Sequence, residues 1–407
     1  MSIKVTIRPD LELGVWQGIG GAITEATAYN FSKLSKEKQQ KLLDAYYGKD
    51  GLDCRWGRIS VGSNDFCLEP FEYTKRADLA DFSIAHDKKL VLPLIKRIKQ
   101  QKDITIMASS WSPPSCLKMK RIGRLGERLK PWFYRRYARY LKMWLDAYRK
   151  AGVEVDYLSP QNEPYANQPW ESCLFSLRAL RKLTYKYLVD ELKDYEVKLL
   201  LWDHNKTELS WVTDGLFPLK YRNEKKVAGL CYHWYDGVCA DEMWKVRQKH
   251  PDLMMISSEM CCGFSPYDEK AWRMDAGLYL KELFSDINCG ASAWIDWNML
   301  LSWRGGPNYC NNFTKAPVIL NENEDDFILT PIFEALKTFA NLFPAGSEVV
   351  RCEYKSDDIV VIARKNKSRY EAVIANISNK EQSIELKLKE KSKQIIVEES
   401  EIIRVGI

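Results

Sequence analysis

No two cysteines of this chain form a Cys-x-x-Cys pair, and only four histidines occur among its 407 residues. Structural zinc needs thiolate or imidazole ligands paired at short spacing, so no metal is expected. The eleven cysteines are odd in number and scattered, apart from adjacent Cys261 and Cys262. Such a set reads as reduced thiols rather than a disulfide framework. No run reaches the roughly 18 apolar residues of a membrane-crossing helix. The opening Met1-Ser2-Ile3-Lys4-Val5 lacks the apolar stretch and cleavage site of a secretory leader. We therefore expect a cytoplasmic protein without stable membrane insertion, or a secreted one if a leader has been trimmed.

Neither sign of charge dominates. The 61 basic and 55 acidic residues leave a net charge of only +6, which describes a mixed, solvated surface rather than a polyanion-binding one. The basic clusters Lys118-Met119-Lys120-Arg121 and Arg135-Arg136 come with no nucleic-acid motif, so they read as exposed faces and no nucleic-acid partner is expected. A Gly-x-Gly-x-x-Gly turn is also missing after the first apolar run. Gly18-Ile19-Gly20-Gly21 leads instead into Ala22-Ile23-Thr24-Glu25, a strand end, so no nucleotide or other cofactor is expected. Monomer and homodimer both remain open.

What the sequence does contain is a regular alternation. Eight short apolar runs can be followed in order: Gln17–Thr24, Asp53–Val61, Ile104–Ser109, Val155–Gln161, Val197–Asp203, Val227–His233, Leu253–Ser258 and Ala291–Asp296. Amphipathic segments separate them, most clearly Trp132–Lys150, with Lys38–Tyr47, Leu174–Leu192 and Ala271–Phe284. Strands alternating with helices specify a parallel sheet, and eight such units suit a closed α/β (β/α)8 TIM barrel better than a doubly wound open sheet. After Pro331 one more helix, Ile332–Phe343, precedes short alternating strands at Asp358–Ala363, Glu371–Ile377, Ser383–Leu388 and Gln394–Glu398. Ile3–Ile7 alternates likewise. The expected organisation is an N-terminal strand region (1–15), the barrel (16–330), and a linking helix with a C-terminal region (331–407). The two ends together form a small antiparallel β-sandwich side domain.

A barrel displays its chemistry at the C-terminal ends of its strands. Two glutamates stand there directly after apolar runs: Glu163, in Ser159-Pro160-Gln161-Asn162-Glu163-Pro164, and Glu259, in Ile256-Ser257-Ser258-Glu259. One such residue alone would read as a carboxylate capping the next helix. A pair, after strands four and seven, is what cleavage of a glycosidic bond requires: one carboxyl group to protonate the leaving oxygen, another to attack.

These residues resemble the clan A glycoside hydrolase barrels. The resemblance sharpens to glycoside hydrolase family 30, the glucosylceramidase-like family, through several further motifs. They are Gly20-Gly21-Ala22-Ile23-Thr24-Glu25, Ser109-Ser110-Trp111-Ser112-Pro113-Pro114, Gln161-Asn162-Glu163-Pro164, Tyr232-His233-Trp234-Tyr235, Asp296-Trp297-Asn298 and Gly305-Gly306-Pro307-Asn308 with Asn312. The resemblance covers essentially the whole chain. It implies Glu163 as acid/base and Glu259 as nucleophile of a retaining enzyme. Asn162 would hydrogen-bond the sugar 2-hydroxyl, although a turn asparagine is the alternative. Tyr235 would orient the nucleophile, Arg58 would keep it ionised, and Asp65 would hold sugar hydroxyls. Trp111 and Trp297 would form an aromatic wall, with Asn312 beside it. For His233, a structural role and a functional one both stand, as they do for Asp203 and His204. The acid is expected to have a raised pKa, from burial or from the charge of Glu259.

The expected activity is exo-acting hydrolysis of β-glucosides, the partner being a carbohydrate or glycoside. Fucosides, xylosides and β-1,6-glucans are the alternatives on the same scaffold, and a non-catalytic sugar-binding protein is a more distant one. The family name does not establish a ceramide substrate, because Ile19, Asn64 and Met260-Cys261-Cys262 depart from the usual residues near the sugar. The side domain shows few aromatics, Tyr354 and Tyr370, so it is expected to support the barrel rather than to bind carbohydrate.

Overall fold

The computed structural model describes residues 2–119, 127–221 and 223–407. Lys120 and Arg121 of the first basic cluster lie outside the described residues. In chain order the strands are β1 (Ile3–Val15), β2 (Ile19–Ala22), β3 (Trp56–Val61), β4 (Thr105–Ser110), β5 (Tyr157–Ser159), β6 (Lys198–Asn205), β7 (Val227–His233), β8 (Met254–Glu259), β9 (Ala293–Asp296), β10 (Leu300–Leu301), β11 (Val318–Leu320), β12 (Phe327–Leu329), β13 (Glu348–Tyr354), β14 (Ile359–Asn366), β15 (Arg369–Asn376), β16 (Gln382–Leu388), β17 (Lys391–Val397) and β18 (Ile402–Gly406).

Strands β2 to β9 pair in parallel and close on themselves, β2 bonding to β9. Each of the eight predicted runs overlaps a barrel strand, three of them ending one or two residues short of it. The glycine-rich first strand has a packing reason: a Cβ at Gly20 would lie 2.3 Å from the carbonyl oxygen of Trp56 on β3. A Cβ at Gly21 would meet the Met299 side chain instead. The helix Tyr134–Lys150 forms because Tyr137, Tyr140, Leu141, Trp144, Leu145 and Tyr148 recur on one face and are buried there. Leu174–Leu192, read as one helix, is interrupted by a π-helical stretch at Thr184–Leu188.

The barrel interior is layered. Trp56, Met107, Leu200, Cys231, Ile256 and Ile295 pack together as its apolar floor. Strand side chains alternate with period two. The next inward residues are therefore Arg58, Ser109, His233 and Ser258, and the layer above the floor is polar.

Strands β1 and β13 to β18 form one sheet in the order β17-β16-β1-β13-β14-β15-β18. The sandwich is this single sheet curled over. Asn376, ending β15, donates to the Val397 carbonyl at the end of β17 at 3.1 Å, and side chains from all seven strands share one core. One pairing, β1 with β16, is parallel rather than antiparallel. Alternation decides which way each residue faces. Val361, Ala363 and Ile374 enter the sheet's own core, while Val360, Ile362 and Val373 pack on the barrel helices. Asn288, ending the helix Glu269–Asn288, bonds both backbone groups of Cys352 at 2.7 and 2.8 Å. Tyr354 and Tyr370 pack against the sheet core. No helix among the described residues is long and apolar enough to cross a membrane.

Candidate active site

Arg58, in the middle of β3, is the hub. Its guanidinium is fully buried and donates to Glu259 Oε2 at 2.5 Å, Asn162 Oδ1 at 2.8 Å, Ser109 Oγ at 3.1 Å and Asp203 Oδ1 at 3.2 Å. A cation taken fully out of water needs such compensation, and two carboxylates supply it. Glu259 ends β8, and its other oxygen accepts from the Tyr235 hydroxyl at 2.8 Å. A carboxylate gripped through both oxygens keeps one orientation.

Glu163 sits in the turn after β5, where its backbone takes a left-handed φ of 47°. Such a conformation costs a non-glycine residue about 1–2 kcal/mol. Neighbouring strands hold it in place: Asn162 donates its N–H to the Ser110 carbonyl at 2.7 Å, and Glu163 to the Asp203 carbonyl at 2.8 Å. The result brings a carboxylate oxygen of Glu163, one of Glu259 and a ring nitrogen of His233 within 4.8 Å of one another. Those three groups are the candidate ligands for a cation, but the Arg58 guanidinium already occupies the Glu259 carboxylate, so a second cation there would be repelled.

Asp203 and His233 belong to the machinery of this site, which the sequence left open. In β6 a bulge falls between Trp202 and His204, with φ of 86° at Trp202 and 51° at Asp203. Regular alternation from Leu200 would send Trp202 and His204 inward. The bulge turns Asp203 in instead. Asp203 Oδ1 accepts from Ser258 at 2.7 Å and faces His233 Nε2 at 3.2 Å, while His233 Nδ1 lies 3.3 Å from Glu163 Oε1. His204 stands farther off, 3.9 Å from the same oxygen.

Electrostatics follows from this geometry. Burial would lower the His233 pKa, but Glu259, Asp203 and Glu163 together push it up to about 9. Burial would raise Asp203, yet the Arg58 and His233 charges hold it well below the usual carboxylate range. The expectation for Glu163 is corrected. Burial does raise it, but His233 beside it outweighs burial and holds it below its ordinary value. Asp65 behaves the other way: burial and the charges of Glu259 and Glu163 raise it to about 8, with partial relief from Asn312, whose amide donates to it at 2.8 Å.

The wall is aromatic. Trp111 and Trp297 stack 5.2 Å apart at 19°, and Arg58 lies 4.9 and 5.4 Å from their ring centres. The ten residues proposed from sequence (Arg58, Asp65, Trp111, Asn162, Glu163, His233, Tyr235, Glu259, Trp297 and Asn312) are thus linked by the contacts above or, for Asp65 and its partner Asn312, by the charges of Glu259 and Glu163. Sequence reading missed Gln168, which donates to Glu163 Oε2 at 3.3 Å, and Ser258; neither carries a signal beyond its place beside a catalytic motif.

Residues 16–343 match the Glycosyl hydrolase family 30 TIM-barrel domain. The chain is 29% identical over 386 residues to mouse lysosomal acid glucosylceramidase, spanning 89% of this chain and 74% of that protein. It is 28% identical over 372 residues to putative glucosylceramidase 3 of Caenorhabditis elegans, spanning 85% and 70% respectively. Among solved structures, SrfJ from Salmonella typhimurium superposes with a TM-score of 0.92 at 25% identity, covering 100% of this chain and 93% of that one. With two carboxylates facing across a barrel mouth and a family match over most of its length, this chain belongs to glycosyl hydrolase family 30 and is a glycoside hydrolase.

Proposed function

We propose that this enzyme is a retaining, exo-acting β-glucosidase of the glucosylceramidase-like kind, with Glu259 as nucleophile and Glu163 as acid/base. The observation that carries the reading is the carboxylate spacing. Oxygens within 4.8 Å suit the roughly 5–5.5 Å of retaining pairs, while inverting pairs stand about 6.5–9.5 Å apart to admit a water. Support for exo action comes from burial. Asp65, Trp111, Asn162 and Trp297, which would contact the sugar, are all buried, as a closed-ended site requires. Exposed Tyr165, Tyr235, Phe264 and Phe313 follow the strand ends and give the mouth an apolar rim for the leaving group.

In the first step Glu259, fixed by Arg58 and Tyr235, attacks the anomeric carbon. The glycosidic carbon–oxygen bond breaks and its oxygen takes a proton from Glu163. His233 lowers the Glu163 pKa, so the proton is supplied through the His233–Glu163 pair, whose atoms stand 3.3 Å apart. Asn162, held by Arg58, faces the 2-hydroxyl, and Asp65 with Asn312 faces the others. The glycosyl ester neutralises Glu259. Glu163, now a carboxylate, takes a proton from water as that water displaces the ester and restores the configuration, and the proton refills the His233–Glu163 pair.

A panel of p-nitrophenyl β-glycosides, with Glu259→Gln alongside, tests the reading. Turnover of the glucoside with retained configuration is expected, and the variant should lose roughly four orders of magnitude or more in kcat. Inversion of configuration would sink the mechanism. Silence on every monosaccharide glycoside, with activity on β-1,6-linked oligosaccharides, would sink the exo-glucosidase assignment.

A further inference from the structure

The helix Tyr134–Lys150 turns a second face outward that the catalytic site does not use. Residues 127–142 hold six basic side chains (Arg128, Lys130, Arg135, Arg136, Arg139 and Lys142) against one acid, Glu127. These 16 residues alone carry nearly the whole chain's net charge of +6. Opposite charge nearby is sparse and peripheral: Asp190 is 3.6 Å from Arg135, Asp146 pairs with Lys142 at 2.8 Å, and Glu191 lines the same groove.

At the head of this face stands Trp132, 70% exposed. An indole left in water among cations is a poor bargain for a monomer's surface unless something covers it. Phe133 beside it, with ring centres 6.2 Å apart, lies under Arg136 at 5.3 Å and Lys130 at 5.4 Å. The location matters as well. The turn Pro131–Phe133 lies on the connection from β4 to its helix, and such connections crown the catalytic end of a barrel.

We propose that this basic, tryptophan-tipped face docks the enzyme on a bilayer containing anionic lipid. Guanidinium and ammonium groups meet the headgroup charge, and Trp132 settles at the interface, where an amphipathic ring is at home. A single indole without further exposed rings in line makes no stacking platform for a nucleic-acid strand, so the membrane is the better fit. The inference does not depend on which glycoside the enzyme cleaves.

Sedimentation of the full chain with vesicles tests it. Binding is expected to phosphatidylcholine vesicles containing phosphatidylserine and not to phosphatidylcholine alone, weakening steeply as salt is raised. Each basic side chain near the surface contributes roughly five-fold, so Arg135→Gln, Arg136→Gln and Arg139→Gln together should lower vesicle affinity about 100-fold. Trp132→Ser should weaken binding severalfold while leaving its salt dependence in place. Thermal melting of both variants should match the parent, since the replaced side chains are exposed. Equal binding to neutral vesicles, parent binding insensitive to salt, or undiminished binding by the triple variant would overturn the proposal. So would capture by heparin or RNA with no vesicle binding, which would make the face a site for soluble polyanions. The parent's salt titration decides the matter even if a variant fails to fold.

Discussion

The barrel mouth and the curled side sheet are built on opposite principles. Where Val5, Ile7, Val361, Ile374, Ile384 and Leu386 meet, the sheet core is apolar and holds no charge among them. The mouth buries Arg58, Asp203, His233 and Glu259 within hydrogen-bonding reach of one another. Its backbone is bent to match, with left-handed residues at Glu163, Trp202 and Asp203. The sheet is arranged for stability. The mouth spends stability to hold charges where a reaction needs them.

Four substitutions press on that contrast. Glu163→Gln should cost roughly 100- to 10,000-fold in kcat on glycosides with poor leaving groups, and much less on p-nitrophenyl glycosides, whose leaving oxygen needs no proton. Equal loss on both would deny Glu163 its role as acid. Asp203→Asn strips the anion shared by Arg58 and His233. Breaking a buried pair typically costs about 3–5 kcal/mol, so urea melts should show a large drop in stability together with lost activity. Ile374→Ala in the sheet should cost a comparable 2–5 kcal/mol yet leave kcat/KM of the folded enzyme unchanged. If it alters kcat/KM, the two regions are not as separable as the comparison claims.

His233→Gln is the subtlest. Removing the imidazole removes the group that keeps the pair's proton up to about pH 9, so the alkaline limb of the kcat/KM profile should move down, toward the range in which Glu163 alone holds a proton. A limb that stays put would show that the imidazole does not govern the acid. The same residue links pH to stability. Because its folded pKa is raised to about 9, its stabilising charge is full below the ordinary histidine range and fades as pH climbs through 9. The parent should therefore lose more stability than the variant between about pH 6.5 and 9.

Much of the barrel was legible because its signals are local. Each of the eight runs is a short buried strand between amphipathic helices, and the two glutamates follow such runs directly. The side sheet was read only in part. β14 through β17 alternate or run apolar, but Glu348–Tyr354 and Ile402–Gly406 were not singled out. β13 mixes Glu, Arg and Tyr with its buried residues and owes its place to β1, bonded across a bulge. The role of Asp203 was undecidable by alternation, because a bulge reverses which residues of β6 face inward. The pKa of Glu163 was misread for a related reason. Burial and like charge can be inferred from a motif, but the imidazole at 3.3 Å comes from a strand 70 residues later.

The pairing of β1 with β13 has a consequence for how the protein is made. Arg8 on β1 lies opposite Arg351 on β13. At about 5–20 residues per second, roughly 20 to 70 s pass between their emergence from the ribosome. Throughout that interval β1 has an unpaired edge, able to pair with another nascent chain. Its early charges, Lys4, Arg8, Asp10 and Glu12, are suited to keeping that edge hydrated until its partner arrives.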